Sequence, residues 1–407
     1  GNVTTVKGSY DTIQEAIDVK TTVDGDVVQV SSNGKTHYFE NISFSKALTL
    51  EGGYDASAWK RHYKDPSNPG MIADAYETII DGGSNGRVVE WEASKNEKHT
   101  IDGFTIRNGY RHDTSGPEGI KARGGGIFAT AAKNSSITIS NNVITNNTAH
   151  KYGGGIYAKT YDGSSRIVIS GNSITANKVT GGSCYSIDGM CGEGGGIYAH
   201  AEEGSQILIL GNSITGNDGF LYGGGVYSTT SKNYGGGVYS TGSTNSIIIS
   251  NNLISENQVE VSRGWREGGE GGGIFNGDSA GLICNNSILK NKGYFVGGIN
   301  IHQRERVGSL NIYNNLIEGN NGEGLHVNIV PLYASNQTDV KIQNNIIKEN
   351  KKEGGFSLFL HLKNAIFHNN LISGNEREGG YGIAGGDVRL SNSSLVMSNN
   401  AIEENIR

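Results

Sequence analysis

The chain has 407 residues, with 34 basic and 40 acidic side chains and a formal net charge of −6. Only 18% of residues are charged and 4 are proline, whereas 63 are glycine and 44 are asparagine. This leaves no basic footprint for nucleic acid, no proline-rich three-residue glycine period for a collagen helix, and no apolar run of the ~20 residues that a membrane helix needs.

In chain order, the first readable element is a short helix. Asp11-Thr12-Ile13-Gln14 reads as a capping box, and Ile13, Ala16 and Ile17 then share one helical face. Such a helix is expected to cover the open apolar end of a stack of coils, as the terminal units of solenoids must. Strands are expected near residues 26–31, 47–52, 77–81 and 88–92.

From about residue 103 onward two signatures alternate. The first is Asn-x-Ile-x-x-Asn, as in Asn142-Val143-Ile144-Thr145-Asn146-Asn147. Its first asparagine recurs at Asn172, Asn212, Asn252, Asn286, Asn315, Asn345, Asn370 and Asn400. Its second recurs five places on, at Asn177, Asn217, Asn257, Asn291, Asn320, Asn350, Asn375 and Asn405. The nine units are spaced about 32 residues apart, and β-rich runs such as Ile167-Val168-Ile169 precede them. The second signature is Gly-Gly-Gly-Ile/Val-Tyr/Phe, at residues 124–128, 153–157, 194–198, 223–227 and 271–275, decaying afterwards. Two or three short strands per unit, separated by turns, make one coil of a parallel β-solenoid. Successive coils lie ~4.8 Å apart. Identical asparagines then stack, and their amides form a ladder, each donating to one neighbour and accepting from the next.

Strand alternation assigns faces. With Ile156 and Ala158 inside, Tyr157 and Lys159 point outward, and so do Tyr198 and His200. Phe128, Tyr157, Tyr198, Tyr227 and Phe275 are thus expected to form an exposed aromatic column of the kind on which sugar rings stack. The alternative is a stack that only stabilises the sheet, at roughly 0.2–1 kcal/mol per pair. The column stops where Asn300 follows Ile299, which confines this face to the first two-thirds of the chain. Long insertions at residues 109–123, 178–193 and 258–270 project from the same edge, where solenoids often bind. With His200, the loop residues Arg263, Trp265 and Arg266 complete the candidate glycan contacts.

A heptapeptide, Tyr-Gly-Gly-Gly-Val-Tyr-Ser, begins at Tyr222 and again at Tyr234. Twelve residues cannot complete a coil, so one copy must leave the stack; the sequence does not say which. Cys184 and Cys191 bracket a loop segment and read as a disulfide, which implies an oxidising compartment. Cys284 reads as a small buried hydrophobe. No residue spacing calls for a metal or a cofactor.

At these repeats the sequence resembles right-handed parallel β-helix proteins of the pectate-lyase-like superfamily. The opening Thr12-Ile13-Gln14-Glu15-Ala16-Ile17-Asp18 and Leu48-Thr49-Leu50-Glu51-Gly52-Gly53-Tyr54-Asp55 look like the start of secreted bacterial members. The paired repeats are similar to Gly-Gly-Ala-Ile and Phe-x-x-Asn in polymorphic outer-membrane adhesins, with Gly for Ala and Ile for Phe. The resemblance implies an all-β, single-stranded right-handed parallel β-helix with a short N-terminal capping helix. The repeats and loop lengths themselves suggest one domain over residues 1–407: cap and irregular coils to 100, coils with long corner loops over 101–275, and plain coils over 276–407 with an end expected to be uncapped.

The fold hosts lyases, hydrolases, epimerases, adhesins and spacers alike, so function must come from a site. The outward strand positions offer Lys159, His200 and His302 but no stacked carboxylates. The expectation is an extracellular or cell-surface protein with a structural or adhesive role, either binding glycans or assembling end to end with itself. The alternative is a polysaccharide lyase, hydrolase or epimerase working at the loop-lined corner.

Overall fold

The computed structural model describes residues 3–5, 8–32, 37–64, 72–111, 122–180, 194–202, 204–220, 226–227, 235–236, 238–260, 271–303, 309–329, 339–361, 364–378, 385–391 and 394–406. The coils are parallel and in register. One coil contributes Ser136–Ser140, Val143–Thr145, Thr148–Ala149 and Ile156–Thr160. The next contributes Arg166–Ser170, Ser173–Thr175, Lys178–Val179 and Ile197–Ala201. Pairing sets like on like, Ile137 on Ile167, Ile144 on Ile174 and Ile156 on Ile197. A 12-stranded parallel sheet records this winding from His37–Tyr38 to Ala401–Glu403.

Alternation turns isoleucine columns of each sheet inward, and Ile137, Ile139, Ile144 and Ile156 are fully buried. Each contributes about 1.5–3 kcal/mol of burial. The corners have their own rule. The residue before each first-column asparagine, from Asn141 and Gly171 to Asn399, has φ between 53° and 64°. So does the residue before each second-column asparagine, from Asn146 and Ala176 to Glu404. A single left-handed residue bends the chain, and the next asparagine turns inward.

There the amides connect the coils. The Asn142 N–H and Nδ2 both donate to Asn172 Oδ1, at 2.9 and 3.1 Å, and Nδ2 also reaches Ile101 O at 3.1 Å. The pattern repeats down the first column to Asn400 and down the second to Asn405. It satisfies backbone carbonyls that the corners would otherwise bury unpaired.

Left-handed backbone costs a residue with a Cβ roughly 1–2 kcal/mol. Glycine avoids that cost but loses ~0.5–1 kcal/mol of chain entropy. Ala176, at φ 53°, stands where the next coil has Gly216. Ala176→Gly is expected to stabilise the protein by about 0.5–1 kcal/mol in urea unfolding. Destabilisation would show that the corner is not strained.

The glycine triplet has a different cause. Gly153 has φ 64°, and a Cβ on Gly154 or Gly155 would lie 2.5–2.6 Å from the carbonyl oxygens of Gly195 or Gly196 in the next coil. The first glycine turns the chain, and the others allow the coils to touch. The duplicated heptapeptide is also resolved. Val238 and Tyr239 pair in parallel with Ile274 and Phe275, so the second copy occupies the stack. In the first copy, Val226–Tyr227 pairs antiparallel with Gly235–Gly236.

Helix Ile13–Asp18 closes the N-terminal end, with Ile13, Ala16 and Ile17 buried. Its N-cap is Thr12, not Asp11: the Thr12 hydroxyl accepts the Glu15 N–H at 3.1 Å. Glu40 adds a second cap, its carboxylate accepting the N–H groups of Ile13 and Gln14 at 3.0 and 2.9 Å. Among the described residues the last coil is less covered: Ile402 is 50% exposed, whereas Ile372, one coil earlier, is buried.

Candidate functional site

The aromatic residues do form a column. The Phe128 and Tyr157 rings stack at 5.0 Å, and those of Tyr157 and Tyr198 at 4.9 Å, both nearly parallel. They are not exposed, however. Phe128, Tyr157, Tyr198 and Phe275 are all buried, Tyr157 to 2%. Arg87 and Arg123 lie over the first rings of the column. The Arg87 guanidinium lies 4.2 Å from the Phe128 ring centroid. Arg123 lies over the rings of Tyr152 and Tyr157, at 5.2 and 5.3 Å, and its Nη1 donates to the Tyr157 hydroxyl at 2.9 Å. Burial pushes the Tyr157 phenol up to about 12, against the pull of Arg123.

The exposed glycan column expected from alternation is therefore corrected. Alternation tells which side of the strand a ring takes, not what lies over it. Gly124 has φ 63°, and Arg123 just before it pairs in parallel with Tyr152, its counterpart in the next coil, with its guanidinium over the Tyr152 and Tyr157 rings. Tyr227 lies in the antiparallel copy, off the stack. His200 faces Lys159 in register, and both meet Glu202, at 3.8 and 2.9 Å. Arg263, Trp265 and Arg266, and the pair Cys184 and Cys191, lie outside the described residues. Cys284 is buried, with its thiol 3.3 Å from the Ser250 hydroxyl.

Beyond Phe275 the same outward column continues as Asn300, His326, Ser357 and Asp387. The neighbouring column runs Gly277, His302, Asn328, Phe359 and Arg389. Here, in the plain coils, a cavity of about 300 Å³ opens, lined among others by Phe295, Glu323, His326, Glu353, Arg377 and Asp387. The aromatic column itself stops at Asn300, as expected, and the cavity lies beyond it.

The cavity is chemically dense. Glu323, nearly fully buried, receives the Ser357 hydroxyl on one oxygen and sits 3.0 Å from His326 Nδ1 through the other. Glu353 lies 3.8 Å from Arg377, and the two residues form an antiparallel bridge. Burial raises the Glu353 carboxyl above its ordinary range; Arg377 draws it down and Glu323 pushes it further up. Asp387 and Arg389 are 3.2 Å apart, and the Arg389 guanidinium lies 4.9 Å from the Phe359 ring. Phe295 and Tyr294 stand edge to face at the rim, both partly exposed.

Sequence reasoning missed these residues because it followed the aromatic letters. A signal was present: Glu323 and Glu353 stand where the glycine signature breaks, as Gly322-Glu323-Gly324 and Glu353-Gly354-Gly355. No group of three or more metal-ligating side chains occurs among the described residues. No described helix is long and apolar enough to cross a membrane.

Residues 226–356 match the family described as "Right handed beta helix region". With the in-register coils, this makes the chain a right-handed parallel β-helix protein. No curated protein matches its sequence. Similar solved structures include the periplasmic alginate epimerase AlgG, at 12% identity and TM-score 0.39, covering 91% of this chain and 85% of that one. The Dettilon tailspike protein follows at 14% identity and TM-score 0.38, covering 87% and 53%. The Streptococcus pneumoniae surface protein and adhesin PfbA has 14% identity and TM-score 0.33, covering 97% and 94%. At these scores the likenesses carry no argument about activity.

Proposed function

We propose that this protein is an extracellular or cell-surface β-helix that holds a carbohydrate polymer against the cavity of its C-terminal coils. One observation carries the reading: a concave site on the outer sheet face combines aromatic rings with closely spaced donors and acceptors. Sugars need that combination, since a pyranose offers an apolar C–H face to a ring and hydroxyls to charged groups around it. Phe359, with the Arg389 guanidinium over its ring, and Phe295, which lines the same cavity as Glu323 and His326, supply both. End-to-end joining of copies fits less well, since it would first have to displace Ile13, Ala16 and Ile17 from the closed N-terminal end.

The test is retention on immobilised β-1,3-glucan, β-1,4-mannan, β-1,4-xylan, polygalacturonate and alginate. Phe359→Ala and Arg389→Ala are expected to weaken retention on the bound polymer tenfold or more. Both side chains are only partly covered, so the melting temperature should stay within a few degrees. Retention of neither the protein nor its variants on any of the five would overturn the reading.

A further inference from the structure

The coil between Ile197–Ala201 and Ile274–Cys284 has two equivalent candidates for one strand. Residues 222–228 and 234–240 are identical, and Thr229 and Thr241 extend the identity by one more place. The second copy fills the strand, where Val238–Ser250 pairs in parallel with Ile274–Cys284. The first copy stays close to the same slot. Both Val226–Tyr227 and Val238–Ser250 come within 8 Å, Cα to Cα, of Ile197–Ala201 and of Ile274–Cys284. We propose that the copies exchange, so that this coil has two registers, and that each exchange carries a twelve-residue insertion from one end of the strand to the other.

Identity of sequence removes the energy difference inside the stack. Whichever copy fills the strand offers its neighbours the same side chains and the same glycine triplet. What remains is the length of the connections. Eighteen positions separate Asn217 from Gly235, close to the seventeen between Asn177 and Gly194 one coil earlier. Six separate Asn217 from Gly223, as they do Asn147 from Gly153 and Asn291 from Gly297. Both approaches to the strand are lengths this fold already uses. Beyond the strand, eight positions lead from Tyr239 to Ile247 and twenty from Tyr227. Loop closure rises only with the logarithm of length, so the extra residues cost nearly the same before the strand as after it. Register is weakly specified in glycine-rich strands, and two packings of near-equal energy make an element bistable.

The exchange alters one corner of the rod. The insertions at residues 178–193 and 258–270 belong to the coils on either side and join the same end of the strand. With the second copy stacked, three long connections follow one another at that corner. With the first copy stacked, the middle one is as short as residues 148–152, and the extra residues leave from the opposite end of the strand. A partner that needs the gap between the two insertions selects the first copy.

Valine at the middle glycine of a triplet keeps its copy out of the stack. A Cβ there meets the next coil's backbone, 2.5 Å from the Gly195 oxygen at Gly154 and 2.7 Å from the Lys292 carbonyl carbon at Gly272. Gly154→Val has no spare copy and should lower the urea midpoint by roughly 0.5 M or more. Gly236→Val should leave the midpoint near that of wild type, because residues 222–228 take over. It should also move amide hydrogen-exchange protection from residues 238–240 to residues 226–228. Gly224→Val touches only the unstacked copy, yet it should slow exchange at residues 238–240 about tenfold by removing their alternative register. The double variant Gly224→Val/Gly236→Val should be as unstable as Gly154→Val. Loss of stability in Gly236→Val equal to that in Gly154→Val, or protection that does not move in it, overturns the exchange. So does unaltered exchange at residues 238–240 in Gly224→Val, or a double variant as stable as wild type.

Discussion

Asn217→Ala is expected to destabilise the protein by about 3–5 kcal/mol. Asn217 Oδ1 accepts from the Asn177 N–H and from Asn177 Nδ2, both at 3.0 Å. Its own Nδ2 donates to Ile174 O at 2.9 Å and to Asn257 Oδ1 at 3.0 Å. Every partner is buried, so no water can replace what alanine removes. Each donor or acceptor left short costs about 1–3 kcal/mol, and the vacated volume adds to that. Asn405→Ala is the internal control. Asn405 still binds Asn375 and Ile372, but it is only half-buried. Its loss should cost about 1 kcal/mol, since water can reach the groups it leaves. Urea unfolding of the two variants beside wild type makes the comparison. Equal losses, or a loss below ~1 kcal/mol at Asn217, would mean that the coils are held by isoleucine packing alone.

Tyr157→Ala should cost a similar amount, about 3–5 kcal/mol, for a different reason. Its ring is sandwiched between Phe128 and Tyr198 and is almost wholly buried. Alanine removes both stacking faces and opens a void beneath Arg87 and Arg123. It also takes away the hydroxyl that accepts from Arg123. Tyr157→Phe separates these effects. It keeps the stack and should lose only the charged hydrogen bond, about 1.5–3 kcal/mol. Thermal or urea unfolding reads both. If Tyr157→Phe weakened retention on a polysaccharide without lowering stability, the column would be a binding surface after all. A change in stability alone identifies it as a second, aromatic spine outside the isoleucine core.

The two predictions rest on features that differ in how far the sequence reveals them. The asparagines could be read directly, because a fixed five-residue offset repeated nine times has no other simple cause. The ladder needs only the coil spacing and the amide's ability to donate and accept. Tyr157 could be read only in part. Period-two alternation put it opposite Ile156 and Ala158, and its ring does stack on its counterparts. That Arg123 lies across it depends on the path of a segment some thirty positions away from Tyr157 in the chain.

The cavity was the least legible feature. Its members come from coils that look plain, and no two of its charged partners form a motif. Glu323 meets Ser357, and Glu353 meets Arg377, because one turn of the helix returns the chain to the same face. The duplicated heptapeptide posed a similar problem. Both copies have the same letters, and only the pairing of Tyr239 with Phe275 distinguishes them.

The sequence by itself determined the winding, the inward columns and the corners, because each depends on contacts between a residue and its equivalent one repeat later. Tertiary structure alone decided what is covered and what is open. Burial depends on unlike residues from different coils meeting over a strand, and no period in the chain encodes those meetings.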